Sequence, residues 1–190
     1  MQIRHAIAKV LVPGVYREYQ MLRKGSAVPR PMIRFLKNQG RNSLTGIEIG
    51  VFEGTNALNI IHELAMKKLV LIDPYQTYSE QGESVSSIHA KKLALTRLSR
   101  FRNVEFIKKT SDEAIKSVVD PLDFVYIDGN HEYQHVRKDI RNYYPQVKKG
   151  GVIGGHDYFL PSVMRAVNEF VQILGVPNFH VCYPDWWIVK

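Results

Sequence analysis

Five short, mostly apolar runs recur between residues 45 and 153, and four of them end on a glycine or an aspartate. They span 45–49 before Gly50, 69–72 before Asp73, 104–107, 124–127 before Asp128, and 151–153 before Gly154. Each is too short for a typical helix and reads as a buried strand. Between them lie stretches with helical spacing of apolar residues. One runs from Asn56 to about residue 65, with Leu58, Ile61 and Leu64 on one face. Others cover 87–99, 112–118 with Ser111 as cap, 133–144 ahead of Pro145, and 162–174. Pro31 opens a further helix to about residue 38, and Gly40 ends it. Residues 179–182 and 186–189 read as a closing pair of strands. Strands alternating with helices predict an α/β chain, a three-layer sandwich whose largely parallel sheet is covered on both faces.

In such folds ligands bind beyond the carboxyl ends of the strands. Gly50, Asp73, Ser111, Asp128 and Asp157 all fall at strand ends or just past them, which points to an enzyme rather than a scaffold. The first turn, 46–54, reads GIEIGVFEG. Gly50 lets the backbone turn sharply and approach a ligand, and Gly54 allows close packing where the helix begins. The turn lacks the G-x-G-x-x-G spacing of dinucleotide sites, and Glu48 and Glu53 disfavour a pyrophosphate while tolerating a cation. Asp73, 23 residues after Gly50, stands where an acid accepts both hydroxyls of a ribose, or else caps the turn before Pro74. Ser111 and Asp112 either read a base edge or cap a helix.

Two loops with chemistry follow the fourth and fifth strands: Asp128-Gly129-Asn130-His131 and Gly154-Gly155-His156-Asp157-Tyr158. Adjacent parallel strands would bring them together. Asp128, His156 and Asp157 offer a divalent site for Mg²⁺, or for Mn²⁺, Fe²⁺ or Zn²⁺ given the imidazole. A metal-free polar network closing the loops is the alternative. His131 is a candidate general base, because its ordinary pKa lies near neutrality. Residues 131–135 also match H-E-x-x-H, a zinc-protease pattern, with Glu169 as an imaginable third ligand. The motif starts three residues after a strand-ending acid, which places His131 in a loop and argues against that reading. Tyr75 and Tyr78 are candidates to cover the ligand, and Tyr158 and Phe159 to line a pocket. Tyr183, Trp186 and Trp187 read as the edge of the last hairpin.

The net charge of +8 is local. Residues 1–41 carry nine Lys or Arg and one acid, whereas the remainder is balanced at 17 of each sign. Such a field attracts an anionic substrate, nucleic acid or a membrane surface, or merely aids solubility. Little aromatic interleaving accompanies it, which disfavours a nucleic-acid groove. Residues 1–43 are expected to form a basic, helical appendage, and 44–190 the main domain. No run approaches the roughly 20 apolar residues of a membrane span, and no cleavable leader is legible, so a cytoplasmic location and no membrane partner are expected. The lone Cys182 implies no internal disulfide.

The segments GIEIGVFEGTN, LVLIDPY, DFVYIDGNHEYQHVRKDI and KKGGVIGGHDY together resemble class I S-adenosylmethionine-dependent methyltransferases. The likeness is greatest to small-molecule and sugar O-methyltransferases and to the cephalosporin-hydroxylase-like group, over about residues 44–160. It implies a seven-stranded sheet with the last strand antiparallel. By resemblance, Glu48, Gly50 and Gly54 belong to the grip on the cofactor, Asp73 holds its ribose, and Ser111 and Asp112 lie near adenine. Asp128 faces the methyl-transfer centre and matches the first metal ligand of metal-dependent relatives. His131, three residues on, stands where some relatives keep a base. The pair after the fifth strand is usually Asp-Asp or Asp-Asn, and here it is His156-Asp157. The implied activity is methyl transfer to a hydroxyl of a small molecule, with Mg²⁺ or another divalent cation assisting, and the basic N-terminal segment suits an anionic acceptor. The alternatives are an RNA or other nucleic-acid methyltransferase and a non-catalytic binding module of the same fold. A homo-oligomer is compatible with all three.

Overall fold

The computed structural model describes residues 29–80, 83–118, 121–175 and 178–190. In chain order the elements are α1 (Pro31–Asn38), β1 (Asn42–Ile49), α2 (Thr55–Glu63), β2 (Ala65–Ile72), β3 (Thr77–Glu80), β4 (Glu83–Ser86), α3 (Ile88–Leu98), β5 (Val104–Ile107), α4 (Ser111–Ala114), β6 (Leu122–Ile127), α5 (Tyr133–Tyr143), β7 (Val147–Gly155), α6 (Pro161–Leu174), β8 (Phe179–Cys182) and β9 (Asp185–Val189). Seven strands form one sheet in the order β5-β2-β1-β6-β7-β9-β8. β5, β2, β1, β6 and β7 are parallel to one another, and β9 runs antiparallel to both of its neighbours. The expected sheet, with its last strand reversed, is therefore present.

Successive strand residues point to opposite faces, which builds two cores. Ile47, Ile49, Val70, Ile72, Val125 and Ile127 pack against α5 and α6 through Val136, Ile140, Val163 and Val167. Leu69, Leu71, Phe124 and Tyr126 face α1, α2 and α3 through Met32, Ile33, Leu36, Ile60, Ala94 and Leu98. Every residue of β6 is buried, which explains why its run reads as continuously apolar apart from Asp123.

Residues 29–43, the described part of the expected appendage, pack into this second core through α1. The first turn of α1 is tied down by Asp185 of β9, whose carboxylate accepts from the Met32 N–H at 3.0 Å and from the Tyr126 hydroxyl at 2.9 Å. The expected turns at 13–14 and 25–26 and most of the basic segment lie outside the described residues. Among the described residues no helix is long and apolar enough to cross a membrane.

Five features differ from the sequence reading. α2 stops at Glu63 because Leu64 turns extended, and β2 begins at Ala65 rather than 69. Thr110, not Ser111, caps α4: its hydroxyl and the Glu113 carboxylate form a reciprocal capping box. The expected helix over 112–118 is one α turn followed by a 3₁₀ turn at Ile115–Ser117. Between β2 and α3 stands an antiparallel hairpin, β3–β4, where no element was expected. Trp186 and Trp187 are not at an edge: β9 lies inside the sheet, and both indoles are buried.

Candidate active site

The loops after β1, β2, β5 and β6 meet at the carboxyl edge of the sheet around one cavity. Its cavity volume is about 200 Å³, and it is open to solvent. Gly50, Asp73, Ser111 and Asp128 all line it, together with Phe52, Tyr78, His135 and Asp139.

Gly50 has φ +83°, and a β-carbon there would stand 2.1 Å from the Asp128 carbonyl oxygen. Only glycine permits both the left-handed backbone and this contact between the first and fourth loops. Gly54 also has positive φ, but a β-carbon would meet Leu98 and Ala94. It is a packing position between α2 and α3 and does not line the cavity.

Asp73 organises the wall above β2. One carboxylate oxygen accepts from the N–H groups of Val51 (3.0 Å) and Phe52 (2.9 Å). The other accepts from the Tyr75 N–H at 2.7 Å and, more loosely, from Ser87 Oγ at 3.4 Å. Phe52 and Tyr75 both adopt positive φ, an uncommon state for bulky residues, and Asp73 satisfies both of their amides. Tyr78 lines the cavity as expected, whereas Tyr75 is buried in the core.

Glu48 lies inside the protein on β1. Asn56 donates to its Oε1 at 2.9 Å, and its Oε2 is buried without a hydrogen-bond partner. Burial pushes its pKa up to about 8, against the opposing hydrogen bond from Asn56.

Asp128 ends β6, with Arg30 Nη1 2.7 Å from its Oδ2. The same guanidinium donates to the Tyr126 hydroxyl at 3.1 Å. Burial acts to raise the Asp128 pKa, but Arg30 and the two nearby histidines outweigh it and hold the group below its ordinary value. His131 lies between acids. Its Nδ1 is 2.8 Å from Glu80 Oε1 on β3, its Nε2 is 2.8 Å from Asp157 Oδ2, and Asp128 Oδ1 is 4.0 Å away. The backbone N–H of His131 also donates to Glu80. Burial lowers its pKa, but the contacts with Asp128 and Asp157 prevail and push it up to about 10. As arranged, the ring is an imidazolium at neutral pH, not a ready proton acceptor.

Asp157, with φ +58°, also meets His156, whose Nδ1 is 2.9 Å from its Oδ1. Burial acts to raise the Asp157 pKa, but the two histidines together hold it well below the usual carboxylate range. Among the described residues, the group that brings three ligand atoms within 4.8 Å of one another is Asp128, His131 and Asp157. His156, expected as a ligand, stands beside it, 3.9 Å from Asp128. Two carboxylates and an imidazole make a donor set suited to a borderline divalent cation, and the Glu80 contact to Nδ1 leaves Nε2 facing the acids. A cation there would have to displace the His131 proton.

The zinc-protease reading does not hold. Glu132 is extended, and the helix starts only at Tyr133, so His131 and His135 do not share a helix face. Glu169 binds Tyr133 and Arg137 instead. His135 lines the cavity. Asp112 points away from it, bound to Lys138 and Asn142. Tyr158 donates to Asn168, and Phe159 is exposed beside Tyr183. Sequence reasoning missed Arg30, Glu80 and Asp139. No local pattern marks the first two, which reach the site from distant segments. Asp139 follows His135 by four residues, a spacing that puts both on one face of α5.

The strand order, the reversed β9 and the cavity at the carboxyl edge define the Rossmann-like methyltransferase fold. Residues 47–158 match the family described as "Methyltransferase domain", and the chain belongs to that family. The "Uncharacterized protein R132" of Acanthamoeba polyphaga mimivirus is 38% identical over 161 residues, covering 76% of this chain and 70% of that protein. Two solved structures are similar in fold. The O-methyltransferase NovP aligns with a TM-score of 0.66 at 15% identity, over 100% of this chain and 98% of its own. An O-methyltransferase from Bacillus cereus, solved in complex with SAH, gives 0.60 at 14% identity over 100% and 98%.

Proposed function

We propose that this methyltransferase uses S-adenosylmethionine and transfers its methyl group to a hydroxyl of a small molecule. The observation that carries the reading is the meeting of Gly50, Asp73 and Asp128 around one cavity. The Bacillus cereus structure in complex with SAH supports the choice of cofactor, and the two O-methyltransferase neighbours support a hydroxyl acceptor. The chemistry of the donors also fits. Ser87 is the loosest partner of Asp73, so a ribose hydroxyl can replace it at little cost.

The bound cofactor supplies an electrophilic methyl on a positively charged sulfur. Asp73 orients the ribose, and Gly50 lets the chain come close beside it. Arg30 holds Asp128 at the reacting end, where its charge helps to align the acceptor. Asp128, His131 and Asp157 would hold a divalent cation, which would supply the positive charge that makes a nearby hydroxyl more acidic, so that water can take its proton. His131 would hold such a cation through Nε2 in the neutral form of the ring. Without a cation, His131 stays charged and serves as a hydrogen-bond donor.

Titration calorimetry with S-adenosylhomocysteine tests the cofactor, and Mn²⁺ binding followed by electron paramagnetic resonance tests the metal set. Wild type is expected to bind both, and His131→Ala to weaken Mn²⁺ at least tenfold while leaving S-adenosylhomocysteine within about threefold. Absence of S-adenosylhomocysteine binding refutes the cofactor reading. Equal Mn²⁺ affinity in wild type and variant removes His131 from the ligand set. Turnover on a panel of hydroxylated compounds, with and without chelator, tests the acceptor class.

A further inference from the structure

Outside residues 1–41 the chain holds equal numbers of basic and acidic side chains, but the fold separates them in space. Asp73, Asp128, Asp157 and Glu80 gather at the carboxyl edge of the sheet. The amino edge is basic. Arg41 precedes β1, Lys67 is the third residue of β2, Arg102 leads into β5, and Lys148 and Lys149 lie at the start of β7. These strand starts are joined to one another. Lys68 lies opposite Thr45 of β1, the Leu69 N–H donates to the Asn103 carbonyl at 2.8 Å, and Arg41 donates to the Gly150 carbonyl at 3.1 Å. The row crosses five parallel strands from β5 to β7, a width of about 19 Å at the usual strand spacing. Among the described residues the acids along this edge are already taken: Glu63 by Lys37, Glu105 by Lys68, and Asp123 by Arg41 and Lys148 together. Lys67, Arg102 and Lys149 are exposed and, among the described residues, pair with no acid.

We propose that this amino edge is a docking surface for the sugar–phosphate backbone of a nucleic acid, and that it anchors the enzyme rather than presenting the polymer for methylation. A row of cations without acids of their own attracts a polyanion, and each phosphate neutralised by a lysine or arginine releases counterions and adds to affinity. Exposed Gln39, Asn42 and Ser43 stand beside Arg41 and can donate to phosphate and sugar oxygens. The segments that carry the row, 39–43, 65–68, 99–103 and 148–150, expose no large apolar side chain. They therefore offer nothing to enter the acyl region of a lipid surface. β1 is eight residues long, about 26 Å of extended chain, and the cavity lies beyond its far end. A polymer held along the amino edge stays clear of the loops around the cavity, whose acids repel it. The proposal does not depend on the cofactor or on the acceptor.

The test is fluorescence anisotropy on the full chain with two labelled probes of about 20 nucleotides, a single-stranded RNA and a DNA duplex. Wild type is expected to bind at least one of them, with an affinity that falls steeply as salt rises. The triple variant Lys67→Gln, Arg102→Gln, Lys149→Gln should bind at least tenfold more weakly and depend less on salt. A control that removes as many charges from the N-terminal segment, Arg4→Gln, Lys9→Gln, Arg17→Gln, should stay within about threefold of wild type. Thermal melting checks that each variant folds, and Arg102→Gln with Lys149→Gln replaces the triple variant should that one unfold. Wild type that binds neither probe overturns the proposal. So does an edge variant that binds as wild type does, or a control weakened as much as the edge variant, since overall charge is then the cause. Phosphatidylcholine vesicles containing phosphatidylserine form a further arm. Edge substitutions that weaken vesicle binding and leave both nucleic-acid probes unaffected identify a membrane surface instead. Transfer of labelled methyl from S-adenosylmethionine into the bound polymer would overturn the anchoring role, and none is expected.

Discussion

Asp73 shows how much one side chain can hold. Three backbone amides, those of Val51, Phe52 and Tyr75, end on its carboxylate, and two of those residues have left-handed backbones. Asp73→Ala would leave these donors without their partner and should cost about 2–4 kcal/mol in urea unfolding. It should also weaken S-adenosylhomocysteine binding more than tenfold by calorimetry. Gly50→Ala would combine a positive φ with a 2.1 Å approach to the Asp128 carbonyl. Its expected cost is at least about 3 kcal/mol, since backbone cannot yield as a side-chain tip does. The residue types at these positions were readable in the sequence because strand-end glycines and acids have few uses. The amides of Val51 and Phe52 that donate to Asp73, and the carbonyl beside Gly50, were not, because they come from other loops of the chain.

Elements were legible to the degree that their pattern is local. Pro31 and the spacing of Met32, Ile33 and Leu36 define α1, which the structure reproduces over the expected residues. What docks α1 is Asp185, more than 150 residues later, and nothing near Met32 announces it. Asp185→Ala would strip buried partners from the Met32 N–H and the Tyr126 hydroxyl. We expect a loss of about 2–3 kcal/mol and faster amide exchange across α1, with Asp185→Asn milder on both measures. The β3–β4 hairpin escaped notice because its four-residue strands are polar and lack an apolar alternation. Its Glu80 nevertheless reaches His131. The short α4 was read one residue late because Thr110 and Ser111 are both good caps, and only the return bond from Glu113 distinguishes them.

Across the whole molecule, burial has moved several acids in the same direction. Glu48 is pushed to about 8, Asp139 to about 7 and Asp185 to about 6, in each case chiefly by loss of water. The folded chain therefore holds these protons more tightly than the unfolded one. Their contribution to stability is complete below about pH 4 and is lost as pH rises through 6 to 8. Asp128 and Asp157, held below their ordinary values, act in the opposite sense and lose their contribution under stronger acid. The melting temperature should accordingly peak in mildly acidic buffer and decline toward pH 8. Glu48→Gln should flatten that decline and make the protein more stable than wild type at pH 8–9. An equally steep decline in the variant would show that Glu48 is not the source.

Apart from the β3–β4 hairpin, the order of strands and helices, the two-faced burial of the sheet and the chemical types at the strand ends follow from the sequence, because each depends on neighbours within a few turns of chain. The partners that make those ends into a site were decided by the tertiary structure alone. Arg30 on Asp128, Glu80 on His131 and Ser111 on Asp139 join segments 98, 51 and 28 residues apart. Such pairings depend on how loops converge after the sheet has closed, and side-chain periodicity carries no record of that.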